Sequence, residues 1–141
     1  MKVELERINN DYLFEVTNSN GHRVLLDNKS KTEGSVKGIS PMELLLMGLA
    51  GCSSIDVVAI LNKQKINPTS IKMEVLGQRP ENAVPALFNA ITVKVLLEGD
   101  FSADKAKRAV ALSFDKYCSV SKTLEHTAAI EYEIYLNGEK V

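Results

Sequence analysis

The sequence predicts a single-domain α+β fold over residues 1–141, with largely antiparallel sheets. Three observations lead there. Residues 3–26 hold short alternating segments divided by turn clusters, the pattern of a meander. A capped apolar segment starting at Ser40 is far too long for a strand. Two more alternating runs, one helical spacing and a last alternating run then complete the order β-β-β-α-β-β-α-β. No internal repeat or linker composition divides the chain.

The first strand is carried by Val3, Leu5 and Arg7 alternating with Glu4 and Glu6, and Asn9-Asn10 marks its turn. In the second, Tyr12, Phe14 and Val16 alternate with Leu13, Glu15 and Thr17. Asn18-Ser19-Asn20-Gly21 turns the chain into a third strand, His22 to Leu26; connections this short make neighbouring strands antiparallel. Asp27 to Gly38 is polar and aperiodic, hence a surface loop.

Ser40-Pro41-Met42-Glu43 is a helix start. Ser40 suits the N-cap, Pro41 the first helical position, and Glu43 closes a capping box. The helix runs to about Asn62, where lysines complement its C-terminal dipole. Ile71, Met73 and Val75 then alternate with Lys72, Glu74 and Leu76 in a half-buried strand. Gly77 to Pro85 is turn-rich, and Phe88 to Leu97 forms a strand with Ile91, Val93, Val95 and Leu97 on one face. After Gly99-Asp100, Ala106, Ala109, Val110, Ser113, Tyr117, Val120 and Leu124 keep helical spacing. Ile130, Tyr132, Ile134 and Leu136 form the last strand, which ends at Asn137-Gly138.

Composition narrows the function. At 45% hydrophobic and 25% charged residues, with a net charge of −1 and scattered lysines and arginines, the chain carries no footprint for nucleic acid or anionic lipid. Its first residues alternate charge with apolar side chains and lack a signal-peptide core, so a cytoplasmic location is expected. The segment Leu44 to Leu61 approaches the ~20 residues of a membrane span. Asp56 interrupts it, and small residues at Gly48, Ala50 and Gly51 suit helix packing, so no membrane partner is expected. A helix apolar all round is one buried in a core or an oligomer interface.

Two cysteines, Cys52 and Cys118, lie on separate expected helices. In a reducing compartment they would rest as thiols, and a disulfide between them would be transient rather than structural. Lys116 and Lys122 flank Cys118 and could favour its thiolate. Cys52 is mid-helix, where the dipole contributes little, and free cysteine also serves simply as buried filling. With His22 and His126 the chain has enough donors for one zinc ion, but none falls at a metal-ligand spacing, and no metal is expected. No Gly-rich phosphate loop or Ser-His-Asp arrangement is present.

Glu43 is fully explained by the capping box, yet it could also orient a cation beside a reactive thiolate. Nine residues of helix separate it from Cys52, a rise of ~13.5 Å and about half a turn out of phase. A shared site would need intermediary groups, a break in the helix, or a second subunit.

Ser40-Pro41-Met42-Glu43-Leu44-Leu45-Leu46-Met47 followed by Ala50-Gly51-Cys52-Ser53-Ser54-Ile55-Asp56-Val57-Val58 resembles the first-cysteine helix of the OsmC/Ohr family, the osmotically inducible and organic hydroperoxide resistance proteins. Arg108-Ala109-Val110, Ser113 and Lys116-Tyr117-Cys118-Ser119-Val120 resemble its second-cysteine segment. The wording is similar to the OsmC-like branch. The resemblance implies an OsmC-like fold with a central buried helix, in an intertwined homodimer with active sites at the subunit interface. It implies a thiol-dependent peroxidase acting on organic hydroperoxides in oxidative stress defence, with Cys52 peroxidatic and Cys118 resolving. It implies no bound cofactor, and regeneration by an external dithiol reductant, lipoyl-linked in the hydroperoxidase branch. That branch also uses an arginine from its N-terminal loops. No matching motif occurs here, and Arg23 is the nearest upstream candidate. The other reading the sequence leaves open is a non-peroxidatic OsmC-like protein that binds a small apolar or thiol ligand.

Overall fold

The computed structural model describes residues 1–28, 31 and 34–141, so part of the expected Asp27–Gly38 loop lies outside the described residues. The chain forms two compact units, Met1–Leu45 and Leu46–Val141.

The first unit is a three-stranded antiparallel meander in the order β1-β2-β3. Its strands are β1 (Val3–Arg7), β2 (Phe14–Asn18) and β3 (Arg23–Leu26). The second strand starts two residues later than the alternation suggests: Tyr12 is exposed and Leu13 is the buried side chain. The Asn18 side chain builds the β2–β3 turn, its Oδ1 accepting the Asn20 and His22 N–H groups at 2.9 and 3.0 Å. Gly21 takes the left-handed conformation, φ +81°, that this turn requires. The expected cap is present at the start of α1 (Pro41–Lys63), where Glu43 Oε2 accepts the Ser40 N–H at 2.9 Å.

In the second unit, α1 buries Leu49, Ser53, Val57 and Leu61, a stripe at four-residue spacing. Its most apolar stretch has a mean hydropathy of 2.1, yet Met47 and Ile55 on its other faces are exposed in the single chain. The helix is therefore buried along one face, not all round. It ends in a Schellman motif: Lys65, at φ +60°, donates to the Asn62 carbonyl at 2.9 Å, and Ile66 donates to the Leu61 carbonyl at 3.0 Å.

A four-stranded sheet follows in the order β4-β5-β6-β7. Its strands are β4 (Ser70–Gln78), β5 (Ala90–Glu98), β6 (Ala129–Leu136) and β7 (Glu139–Lys140). The β5 face expected from the alternation is the core, with Ile91, Val93, Val95 and Leu97 each at most 1% exposed. Two differences from the sequence reading concern this sheet. The β5–β6 pair is parallel, because the intervening helical segment crosses from one end of the sheet to the other. The chain also continues past Asn137-Gly138, where φ of 52° and 86° form a hairpin turn into β7.

The second helical region is not one helix. It comprises α2 (Ala103–Leu112), a π-helical turn (Ser113–Tyr117) and α3 (Ser119–Leu124). Of the expected stripe, Ala106, Ala109, Val110, Ser113 and Leu124 are buried, as is Cys118 at the break, whereas Val120 is half-buried and Tyr117, at the end of the π turn, is exposed.

Candidate active site

Cys52 stands midway along α1, half-buried, with Asp56 one turn further on the same face. Just beside them runs the buried stripe, where Ser53 Oγ donates to the Leu49 carbonyl at 2.7 Å and contacts Met73 Sδ of β4 at 3.2 Å. A serine there keeps the helix close to the sheet while satisfying its own hydroxyl along the backbone.

The break in the second helical region aims Cys118 at this face. The Cys118 N–H donates to the Ser113 carbonyl at 2.8 Å, five residues back, which is the π-type bond. Cys118 then turns to an extended ψ of 99° and caps α3, its sulfur accepting the Ser121 N–H at 3.4 Å. Ser113 pins the turn to α1: its Oγ is 3.3 Å from the Ser53 carbonyl and 3.5 Å from Asp56 Oδ2, both in donor geometry. As a result Cys52 Sγ, Cys118 Sγ and a carboxylate oxygen of Asp56 all lie within 4.8 Å of one another.

The electrostatics at Cys118 run opposite to the expectation from its flanking lysines. Burial is the main influence and pushes its thiol from 9.0 up to about 11. The Ser121 N–H works the other way but is outweighed, while Cys52 and the Asp56 carboxylate raise the value further. Neither lysine counters this: Lys122 pairs with Glu125 at 2.9 Å, and the Lys116 ammonium lies over the Tyr117 ring, 5.4 Å from its centroid. Cys118 is thus a protonated thiol near neutral pH, and Cys52 is the more accessible of the pair.

The two cysteines named from the sequence are therefore brought together. Glu43 sits in the first turn of α1 with its carboxylate on the Ser40 N–H. Arg23, on β3, is ion-paired with Glu15 of β2 at 3.2 Å. His22 borders the β2–β3 turn and His126 follows α3, both exposed. Sequence reasoning missed Asp56 and Ser113 as parts of the site. The four-residue spacing of Cys52 and Asp56 was the available signal, since it places both on one helix face. Ser113 was marked only as a member of the helical stripe and of the second-cysteine resemblance, neither of which assigned it a contact with Asp56.

Comparison with known proteins agrees with this geometry. The family model described as OsmC-like protein matches residues 32–133. Protein YhfA of Escherichia coli strain K12 is 40% identical over 119 residues, spanning 82% of this chain and 85% of YhfA. The OsmC-like protein from Mycoplasma pneumoniae superposes with a TM-score of 0.82 at 19% identity, over 96% of this chain and 95% of that one. The organic hydroperoxide resistance protein OhrB of Bacillus subtilis superposes with a TM-score of 0.66 at 17% identity, over 96% of each chain. By the extent of the family match and the identity to YhfA, this chain belongs to the OsmC-like protein family.

Proposed function

We propose that the protein is a thiol-dependent peroxidase that reduces organic hydroperoxides through Cys52 and Cys118. The observation that carries this reading is the pairing of a half-exposed and a fully buried thiol, sulfurs within 4.8 Å, at a break in helical structure. The likeness in fold to the organic hydroperoxide resistance protein OhrB supports it.

The chemistry runs in two steps on this geometry. The Cys52 thiolate attacks one peroxide oxygen, the O–O bond breaks, and an alcohol leaves after protonation, with Cys52 as a sulfenic acid. The Cys118 sulfur then displaces hydroxide from Cys52, its thiol proton completing a water, and a disulfide forms. That bond brings the sulfurs to about 2 Å, a closure that side-chain rotation and the short α3 start must supply. Two electrons from an external dithiol, by analogy a lipoyl-type one, return both thiols. The thiolate is itself the nucleophile, so the cycle needs no bound cofactor.

The proposal includes a homodimer. Met47 and Ile55, 51% and 71% exposed on a helix this apolar, are the face a second copy would cover. Glu43, engaged as the helix cap, would then act towards the thiols only across that interface.

One observation favours the alternative, a protein that binds a small ligand without turnover. Within Leu46–Val141, no described Lys or Arg ion-pairs with Asp56, and no cation counters the burial of Cys118. Cumene hydroperoxide consumption by wild type, Cys52→Ser and Cys118→Ser separates the readings. The peroxidase reading expects consumption to vanish in Cys52→Ser, and a dimedone-trappable sulfenic acid at Cys52 in Cys118→Ser. Equal, background-level consumption by all three proteins would leave the binding reading.

A further inference from the structure

We propose that Cys52, Cys118 and Asp56 together form a binding site for one thiophilic divalent metal ion of the zinc(II) class, occupied only while both cysteines are reduced. Two sulfurs and one carboxylate oxygen within 4.8 Å of one another fall in the reach of a single cation. Zinc bonds of about 2.3 Å to sulfur and about 2.0–2.2 Å to oxygen place these tetrahedral donors roughly 3.5–3.8 Å apart. Closing to that spacing needs side-chain adjustments on the order of 1 Å.

The local architecture suits such a site in three further ways. Cys52 and Asp56 are at i and i+4 of one helix, a spacing that lets two side chains of one face grip the same ion. Ser113 Oγ, 3.5 Å from Asp56 Oδ2, reaches this carboxylate from behind, as outer partners orient metal-bound carboxylates. Cys52 is half-buried while Cys118 is buried, so an ion has a way in and keeps an open position for water. Asp56 has no ion-pair partner among the described residues of Leu46–Val141, so none of their cations competes for it. Two sulfur donors select zinc or cadmium over magnesium or calcium.

Binding releases the two thiol protons to solvent and involves no change of oxidation state. A bound ion engages both sulfurs and so holds the pair away from peroxide. Disulfide formation removes two of three ligands and expels the ion. This inference needs only reduced thiols and does not depend on peroxidase turnover.

The test is a zinc titration of chelator-stripped, reduced full-length protein in competition with a chromophoric chelator. One ion per chain is expected for wild type, none for protein oxidised to the disulfide. Affinity should fall about tenfold or more in Asp56→Asn, and further in Cys52→Ser and Cys118→Ser. Unchanged affinity in Asp56→Asn, or wild-type binding no stronger than that of the double Cys→Ser variant, would overturn the proposal. A cobalt(II) titration keeps it falsifiable should Asp56→Asn fail to fold. Wild type should show sulfur-to-cobalt charge-transfer absorption that drops by about half in Cys118→Ser, and its absence in wild type would overturn the site.

Discussion

Alkaline pH should weaken this fold in part through Cys118. In Cys52→Ser it is the sole thiol, since the chain has only two cysteines. The folded chain holds the Cys118 proton up to about 11, against 9.0 for an unperturbed thiol. Between those values the unfolded state binds fewer protons than the folded state, so stability falls as pH rises. The contribution is whole below about pH 9 and gone above about pH 11. An interval that wide corresponds to roughly 3 kcal/mol at most. Cys52 itself supplies part of the upward push, so its replacement leaves a smaller effect, while burial, the largest cause, remains. The assay is urea unfolding under chelator and reductant from about pH 8 to about pH 11, with Cys52→Ser/Cys118→Ala as reference. The reference shares the lysine and tyrosine titrations, which cancel. The stability gap between the two proteins should shrink by ~1–3 kcal/mol across that window. A gap that stays constant would refute burial as the dominant influence on Cys118.

Three further substitutions probe the scaffold. In Gly77→Ala the added Cβ would meet the buried Phe88 ring, with Cδ1 at 2.8 Å, and should cost roughly 1–3 kcal/mol in urea unfolding. Asn137→Ala forces a side chain other than Asn or Gly to φ 52° and removes two 3.0 Å hydrogen bonds to the Gly99 backbone; a loss of ~1–3 kcal/mol is expected by the same assay. Glu43→Ala deprives the exposed Ser40 N–H of its acceptor and should lower stability by about 0.5–1 kcal/mol; a larger effect on peroxide consumption than on the melting temperature would give Glu43 a role beyond the cap.

The sequence disclosed those features whose physics is local. Period-two alternation marked the core face of β5, and Ser40 to Glu43 marked the start of α1, because strand pleat and helix capping each act within a few residues. The parallel β5–β6 pairing depends on where the crossover docks, which alternation does not encode. The break at Cys118 was hidden because a π turn absorbs one extra residue: the stripe from Ala106 to Ser113 turns Tyr117 outward and resumes at Leu124. Hence both cysteines could be named, but their proximity could not be derived from spacing. The lysine expectation at Cys118 failed for a related reason: neighbours in sequence found other partners, Glu125 and Tyr117, while burial, and after it Cys52, raise the thiol. Asp56 entered the sequence reading as an interruption of an apolar run and a member of the first-cysteine resemblance, and gained a place in the site only once α1 and the π turn stood face to face.

Whether Cys52 and Cys118 act as the proposed redox pair is decided by intact-mass and peptide mapping of reduced protein after one equivalent of an organic hydroperoxide. A redox pair gives rapid loss of two hydrogens from the intact mass, with a single new cross-link joining the Cys52 and Cys118 peptides. Two free thiols after that exposure, or oxidation of Cys52 that never passes to Cys118, would contradict it.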